Sequence, residues 1–188
     1  LEIYNDFKKK NNKITIYIPT DTYVNENNDT MPLSGISNSN TIFCNENGYY
    51  AIYKSDRFGF NNPDEEWNSE KIEYLLIGDS YAHGACVNRP DDIGSVLRNL
   101  SNGSVLNLGY SGQGPLSMLA TMREYLNTNV EKVLWFYFEG NDLNDLKEEK
   151  KNKILRNYLN SSSFTQNLKN KQNRIDKLGI EIINKKKK

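Results

Sequence analysis

Three short apolar runs restrict this chain more than anything else in it. They are Tyr74-Leu75-Leu76-Ile77, Val105-Leu106 followed by Leu108, and Val133 to Phe138. An extended chain points successive side chains to opposite faces, so runs apolar at consecutive positions are apolar on both faces. Strands of that kind belong in a buried parallel sheet with helices on each side. The intervening segments supply the helices. Asp91 or Asp92 can cap the first, and Ile93, Val96, Leu97 and Leu100 share one face. Pro115 suits the first turn of the second, where Leu116, Leu119, Met122 and Leu126 share a face. The order is strand, helix, strand, helix, strand. Right-handed crossovers then predict a doubly wound, flavodoxin-like, three-layer α/β/α arrangement.

The flanks differ in texture, and they divide the chain into residues 1–72, 73–146 and 147–188. The first region is rich in Asn, Tyr and Thr. Ile14 to Ile18 alternates as a half-buried strand does, and Thr41–Cys44 and Tyr49–Tyr53 flank Asn45-Glu46-Asn47-Gly48. Asn-Gly tolerates the positive φ of a tight turn, so this region is predicted to be small strands and loops, with a hairpin. The third region is rich in Lys and Asn. A helix is expected around Ile154, Leu155, Tyr158 and Leu159, a break at Ser161–Ser163, and a second helix between Phe164 and Ile183. No further buried strand follows, so the sheet is expected to lack its C-terminal strands. Basic residues gather after Lys147 and end in Lys185–Lys188. They read as a solvated, partly helical tail, or as a basic arm for an anionic surface.

Charge narrows the partners. Lys plus Arg number 24 and Asp plus Glu number 24, a formal net charge of zero, which removes the electrostatic argument for nucleic acid. The first residue is Leu, so the chain reads as processed or as a piece of a longer product. No basic-then-apolar leader opens it, and no apolar run has the length of a bilayer span. Membrane attachment would come only through a preceding anchor, and an extracytoplasmic or membrane-anchored location stays open. Cys44 and Cys86 form no CxxC, and two Cys with one His at these spacings predict no metal site. The pair is either a disulfide tying the first region to the second or two small buried thiols. No cofactor motif is present.

Ligands of an open parallel sheet bind beyond the carboxyl ends of its strands. The three predicted strands end in Gly78-Asp79-Ser80, Gly109-Tyr110-Ser111-Gly112-Gln113-Gly114 and Glu139-Gly140-Asn141-Asp142. Each alone is an ordinary strand-ending turn. Together, in order, they are far more specific. Over residues 56–146 the chain resembles the SGNH (GDSL-like) hydrolase family. Ile77-Gly78-Asp79-Ser80-Tyr81-Ala82-His83-Gly84 is similar to its first block, Asn107-Leu108-Gly109-Tyr110-Ser111-Gly112 to its second, and Gly140-Asn141-Asp142 to its third. Asp56-Arg57-Phe58-Gly59-Phe60-Asn61-Asn62 resembles a lead-in found in bacterial members.

The resemblance implies ester hydrolysis or acyl transfer on small-molecule ester, carbohydrate or lipid-like substrates, with Ser80 as nucleophile. The Ser80 and Gly112 amides and the Asn141 side chain would stabilise the oxyanion, each such donor being worth about 3–4 kcal/mol. Asp79 would brace the turn. The family draws its base from a later block, a His with an Asp about three residues before it. Here the one His is His83, three residues after Ser80. It is expected to pack under the turn, with a substitute base as the minor reading. Asp142, Asn144 and Asp145 read as a solvated helix start rather than a cation site. A non-catalytic binding module for a small anionic or carbohydrate ligand is the other class open to this sequence. A flavodoxin-like cofactor binder is weaker, because Asp79 is a poor neighbour for phosphate.

Overall fold

The computed structural model describes residues 2–10, 14–23, 30–46, 48–126 and 129–186. Near the amino end, α1 (Glu2–Lys10) packs on a small mixed sheet made of β1 (Ile14–Ile16), β2 (Asn40–Cys44) and β3 (Ala51–Lys54). β1 runs parallel to β2, with Ile16 opposite Ile42. β2 and β3 pair antiparallel, as the hairpin pattern predicts, with a bulge between Ile42 and Cys44. Asn47 of the expected turn lies outside the described residues.

The three apolar runs form the second sheet. β4 (Ile72–Ile77) is central, with β5 (Val105–Asn107) on one side and β6 (Val130–Trp135) on the other, all parallel. Because the first strand lies in the middle, the chain leaves it in opposite senses to reach its two neighbours. The carboxyl end of β4 is therefore the topological switch point, where such sheets bind ligands. After β4 come the short α2 (Ser80–His83) and α3 (Ile93–Ser101); α4 (Pro115–Tyr125) joins β5 to β6. Beyond β6 follow α5 (Asp142–Glu149), α6 (Lys153–Asn160) and α7 (Gln172–Lys185). No helix among the described residues is long and apolar enough to cross a membrane.

The tail is not a solvated appendage. Leu155, Tyr158, Leu168 and Ile175 are buried in the main core with Leu33, Phe60, Leu75 and Leu106. Ile182 and Ile183 close a second core with Tyr4 of α1, Ile14 and Ile42 of the amino-terminal sheet, and Tyr23. Asp176 fixes α7 there by accepting hydrogen bonds from the Ser37 amide (2.9 Å) and the Ser37 hydroxyl (2.7 Å). The reason is periodicity: Ile175, Gly179, Ile182 and Ile183 make one helical stripe, and Arg174, Lys177, Glu181 and Lys185 are exposed on the other face. The described residues of 1–72 and of 147–186 are thus packed together. The charged tail of the sequence is structural filling for the β region.

Two apolar surfaces predicted to be covered are open. α3 has its expected cap, Asp92 accepting from the Ser95 amide at 3.0 Å, but its apolar stripe faces outward, with Ile93, Val96 and Leu100 exposed. The inward face is polar because Arg98 bonds the Val105 carbonyl (2.7 Å) and the Asn62 amide oxygen (2.9 Å), and pairs with Glu66 (3.0 Å). β6 is the second exception. Val133, Leu134 and Trp135 are exposed, and among the described residues no strand pairs with its outer edge. Its apolar pattern is that of an interior strand at an edge position. α4 also departs from a one-sided helix: it is buried on nearly all sides, with only Leu126 just past its end exposed, because α5 and α6 pack over its outer surface.

Candidate functional site

Ser80 begins α2 directly after the Gly78-Asp79 turn at the end of the central strand. Asp79 caps this short helix, its carboxylate accepting from the Tyr81 amide at 3.4 Å, which is the bracing role expected of it. Gly109 lets the second loop close on this turn. A Cβ there would lie 2.5 Å from the Ala82 Cβ and 2.7 Å from the His83 amide nitrogen, closer than atoms can approach, so only glycine fits.

The lead-in motif holds α2 from beneath. Asn61 donates to the His83 carbonyl (3.0 Å), and Asn107 donates to the Ala82 carbonyl (2.5 Å). Asn62 bridges the two layers, donating to the Asn107 carbonyl and accepting from the Asn107 amide, both at 2.8 Å. Asp56 is the hub of this network. Its carboxylate has no exposed surface and accepts four hydrogen bonds, from the Phe58 and Phe60 amides, the Asn62 amide and the Trp67 indole (2.8, 3.0, 2.8 and 2.8 Å). Burial pushes its pKa up to about 6, against the pull of those donors. These brace residues were not legible as such; the signal available was a run of Asp and Asn interleaved with the half-buried Phe58 and the buried Phe60.

A cavity of about 500 Å³ opens over Ser80. Asn141 and Ser111 line it, with Tyr17, Phe43, Tyr81 and Phe138 as aromatic walls and Glu46 and the Cys44–Cys86 pair at its margin. The cysteines are joined, with Cα atoms 5.4 Å apart, tying β2 to the loop after α2. Gly112 is not among the residues lining this cavity. It borders a second cavity, also about 500 Å³, between the start of α4 and α5–α6. The structure thus brings Ser80 and Asn141 to one cavity and places Gly112 one residue beyond its wall at Ser111. Asn141 donates to the Asp145 carboxylate at 2.8 Å, and its amide oxygen is buried with no partner among the described residues. The carboxyls of Asp142 and Asp145 are raised by burial, and the Asp79 charge adds to both. No group of three His, Cys, Asp or Glu able to hold a metal occurs among the described residues.

His83 packs under the turn. It is fully buried, stacked on Tyr110 (4.9 Å between centroids) and against Phe43 (4.3 Å). Its Nδ1 accepts the Ser111 amide at 3.0 Å, which puts the proton of the neutral ring on Nε2. Nε2 has no partner, and no hydrogen bond joins His83 to Ser80, among the described residues. Burial pushes its pKa down to about 3. The unfolded chain takes up this proton below about pH 6.5 while the folded chain stays neutral, so His83 costs stability as pH falls from 6.5 towards 3. Asp56 acts in the opposite direction between about pH 6 and 4, since its raised pKa protonates the folded chain first. In a His83→Asn variant, whose side-chain oxygen can still accept from Ser111, the His83 contribution disappears. Relative to the parent, the variant is expected to gain about 1.4 kcal/mol per pH unit below pH 6.5. Urea midpoints of both proteins between pH 7 and 5 check this; parallel curves would show that His83 titrates normally.

No family model, curated protein or solved structure matches this chain.

Proposed function

We propose that this chain carries the nucleophile of a serine-dependent acyl-transfer site, an ester hydrolase or O-acyltransferase of SGNH type, acting on small acyl esters. The observation that carries the reading is the place of Ser80. It is half-buried at the first turn after the central strand, at the switch point of a parallel sheet, in one cavity with the side chain of Asn141. Attack by serine on an ester carbonyl forms a tetrahedral intermediate with charge on oxygen; Ser80 and Asn141 border the cavity and carry two of the donors for it, and the Gly112 amide, next after Ser111 in the cavity wall, is the third in this reading. Serine also needs a base. His83 is walled off, and among the described residues no hydrogen bond joins it to Ser80. The aromatic walls of Tyr81 and Phe138, 5.7 Å apart edge to face, suit an apolar acyl chain or a sugar face.

The withdrawal of His83 favours a second reading, a non-catalytic binding module on the same scaffold. An anionic ligand at the start of α4 is a poor fit to that reading. Glu149 already fills that position, its carboxylate accepting from the Gly114, Leu116 and Ser117 amides (2.9, 2.8 and 3.2 Å).

Chemical rescue separates the two. The chain is incubated with p-nitrophenyl acetate, with and without added imidazole as an external base, and digested for mass spectrometry. The expected result is an acetyl group on the Ser80 peptide that forms faster with imidazole, is lost in Ser80→Ala, and is unchanged in His83→Asn. Acetylation spread over other hydroxyls, or untouched by Ser80→Ala, would leave the binding module as the reading.

A further inference from the structure

We propose that Tyr17, the residue next after β1 of the small amino-terminal sheet, is a positioning residue that sets the direction of the Gly112 amide. The inference rests on the acyl-transfer reading, in which that amide is an oxyanion donor. Residues Tyr110 to Gln113 form a turn closed by the Gln113 amide on the Tyr110 carbonyl at 3.3 Å, with Gly112 at φ 76°. A positive φ at the second central residue belongs to a type II turn. Such a turn has a near alternative, type I, reached by rotating its central peptide, here Ser111–Gly112, through about half a turn. Glycine permits both forms. The rotation would reverse the Gly112 N–H, so something must select one form.

Tyr17 makes the selection. Its hydroxyl donates to the Ser111 carbonyl at 2.5 Å. The peptide unit is planar and trans, so fixing the Ser111 carbonyl fixes the Gly112 N–H in the opposite direction. The preceding peptide is held separately, by the Ser111 amide on His83 Nδ1. Tyr17 can hold its end because it is itself anchored. Its amide donates to the Ile42 carbonyl at 2.8 Å, and its ring packs on Phe43 and Tyr110 at 4.8 and 5.3 Å. Burial raises the phenol far above its ordinary range, which keeps it protonated as a donor. The small sheet thereby gains a task beyond walling the cavity.

The experiment uses Tyr17→Phe, which keeps the ring and removes only the hydroxyl. Butylboronic acid is the probe, since its boron adds to a serine hydroxyl and carries a negative oxygen where the oxyanion would sit. Binding is followed by amide NMR of the whole chain. The parent is expected to bind with a shift of the Gly112 amide. Tyr17→Phe should move or split that resonance in the free protein and weaken binding about 10-fold, with thermal stability nearly unchanged. Tyr125→Phe, which removes a buried hydroxyl at the far end of α4, should leave the Gly112 resonance in place. An undisturbed Gly112 amide with parent-like binding in Tyr17→Phe overturns the positioning role while Ser80 keeps its own. Binding that survives Ser80→Ala, or no binding by the parent, instead overturns the acyl-transfer reading beneath it.

Discussion

Replacing Asp56 with Ala is expected to bring the chain to the edge of unfolding. The substitution removes one acceptor group and leaves four donors facing a site with no exposed surface. An unsatisfied buried donor costs about 1–3 kcal/mol. Even with water entering the space left behind, the loss should reach about 4 kcal/mol, against a total of roughly 5–15 for a typical domain. Asp56→Asn should cost less, about 2–3 kcal/mol, because one oxygen still accepts while the new amide confronts an existing donor. The urea midpoints of the three proteins test this order. An Ala variant within about 1 kcal/mol of the parent would mean that the network in the structure does not hold the lead-in segment. Since Asn62 and Asn61 pass the same network on to α2, the Ala variant should also loosen the Ser80 turn, read as faster amide exchange from Ala82 to Ala85.

Breaking the covalent tie between β2 and the loop after α2 is the second large expected effect. Cys44 and Cys86 are 42 residues apart, so the bond restricts a long loop of the unfolded chain. Loss of a constraint of this size costs about 2–4 kcal/mol, which lowers the melting temperature by roughly 5–15 °C in a chain of this length. Cys86→Ser paired with Cys44→Ser is the cleaner test, because a single replacement leaves a free thiol. The fold should survive, since Tyr49 still donates to the Cys86 carbonyl at 3.3 Å and Asn88 still accepts the Ile52 amide at 2.9 Å. Titration of two free thiols in the oxidised parent, or an unaltered melting temperature in the double variant, would remove the tie from the account.

The parts of the fold that were legible are those where a residue's own preference settles its place. Leu75, Leu76 and Ile77 are apolar at consecutive positions and lie in the centre of the sheet. Asp92 and Pro115 begin helices for reasons local to the backbone. The hairpin of β2 and β3 likewise follows from its pattern. What was not legible depends on neighbours. Val133 to Trp135 carry the same signal as β4, yet they lie at an open edge, because a pattern states what a strand can bury and not what is beside it. The α3 stripe was read correctly as a stripe and wrongly as an inner face. Arg98 decides the matter through partners 36 residues back and 7 ahead. At the site, the strand-ending turns named Ser80 and Asn141, which share a cavity. Asp56 and Asn62 went unread as braces because a buried polar hub looks, letter by letter, like a loop.

The union of α7 with the amino-terminal sheet has a consequence for synthesis. A ribosome makes Tyr4, Ile14 and Ile42 early, but the core they belong to is closed by Ile182 and Ile183. At translation rates of about 5–20 residues per second, the apolar face of that sheet waits on the order of 10–30 s for its cover. During that interval the nascent chain has α1 and the residues around Tyr23 to lay against the hairpin, but not the Ile182–Ile183 end of α7. The yield of the protein should respond more to substitutions in α7 than the distance of that helix from Ser80 would suggest.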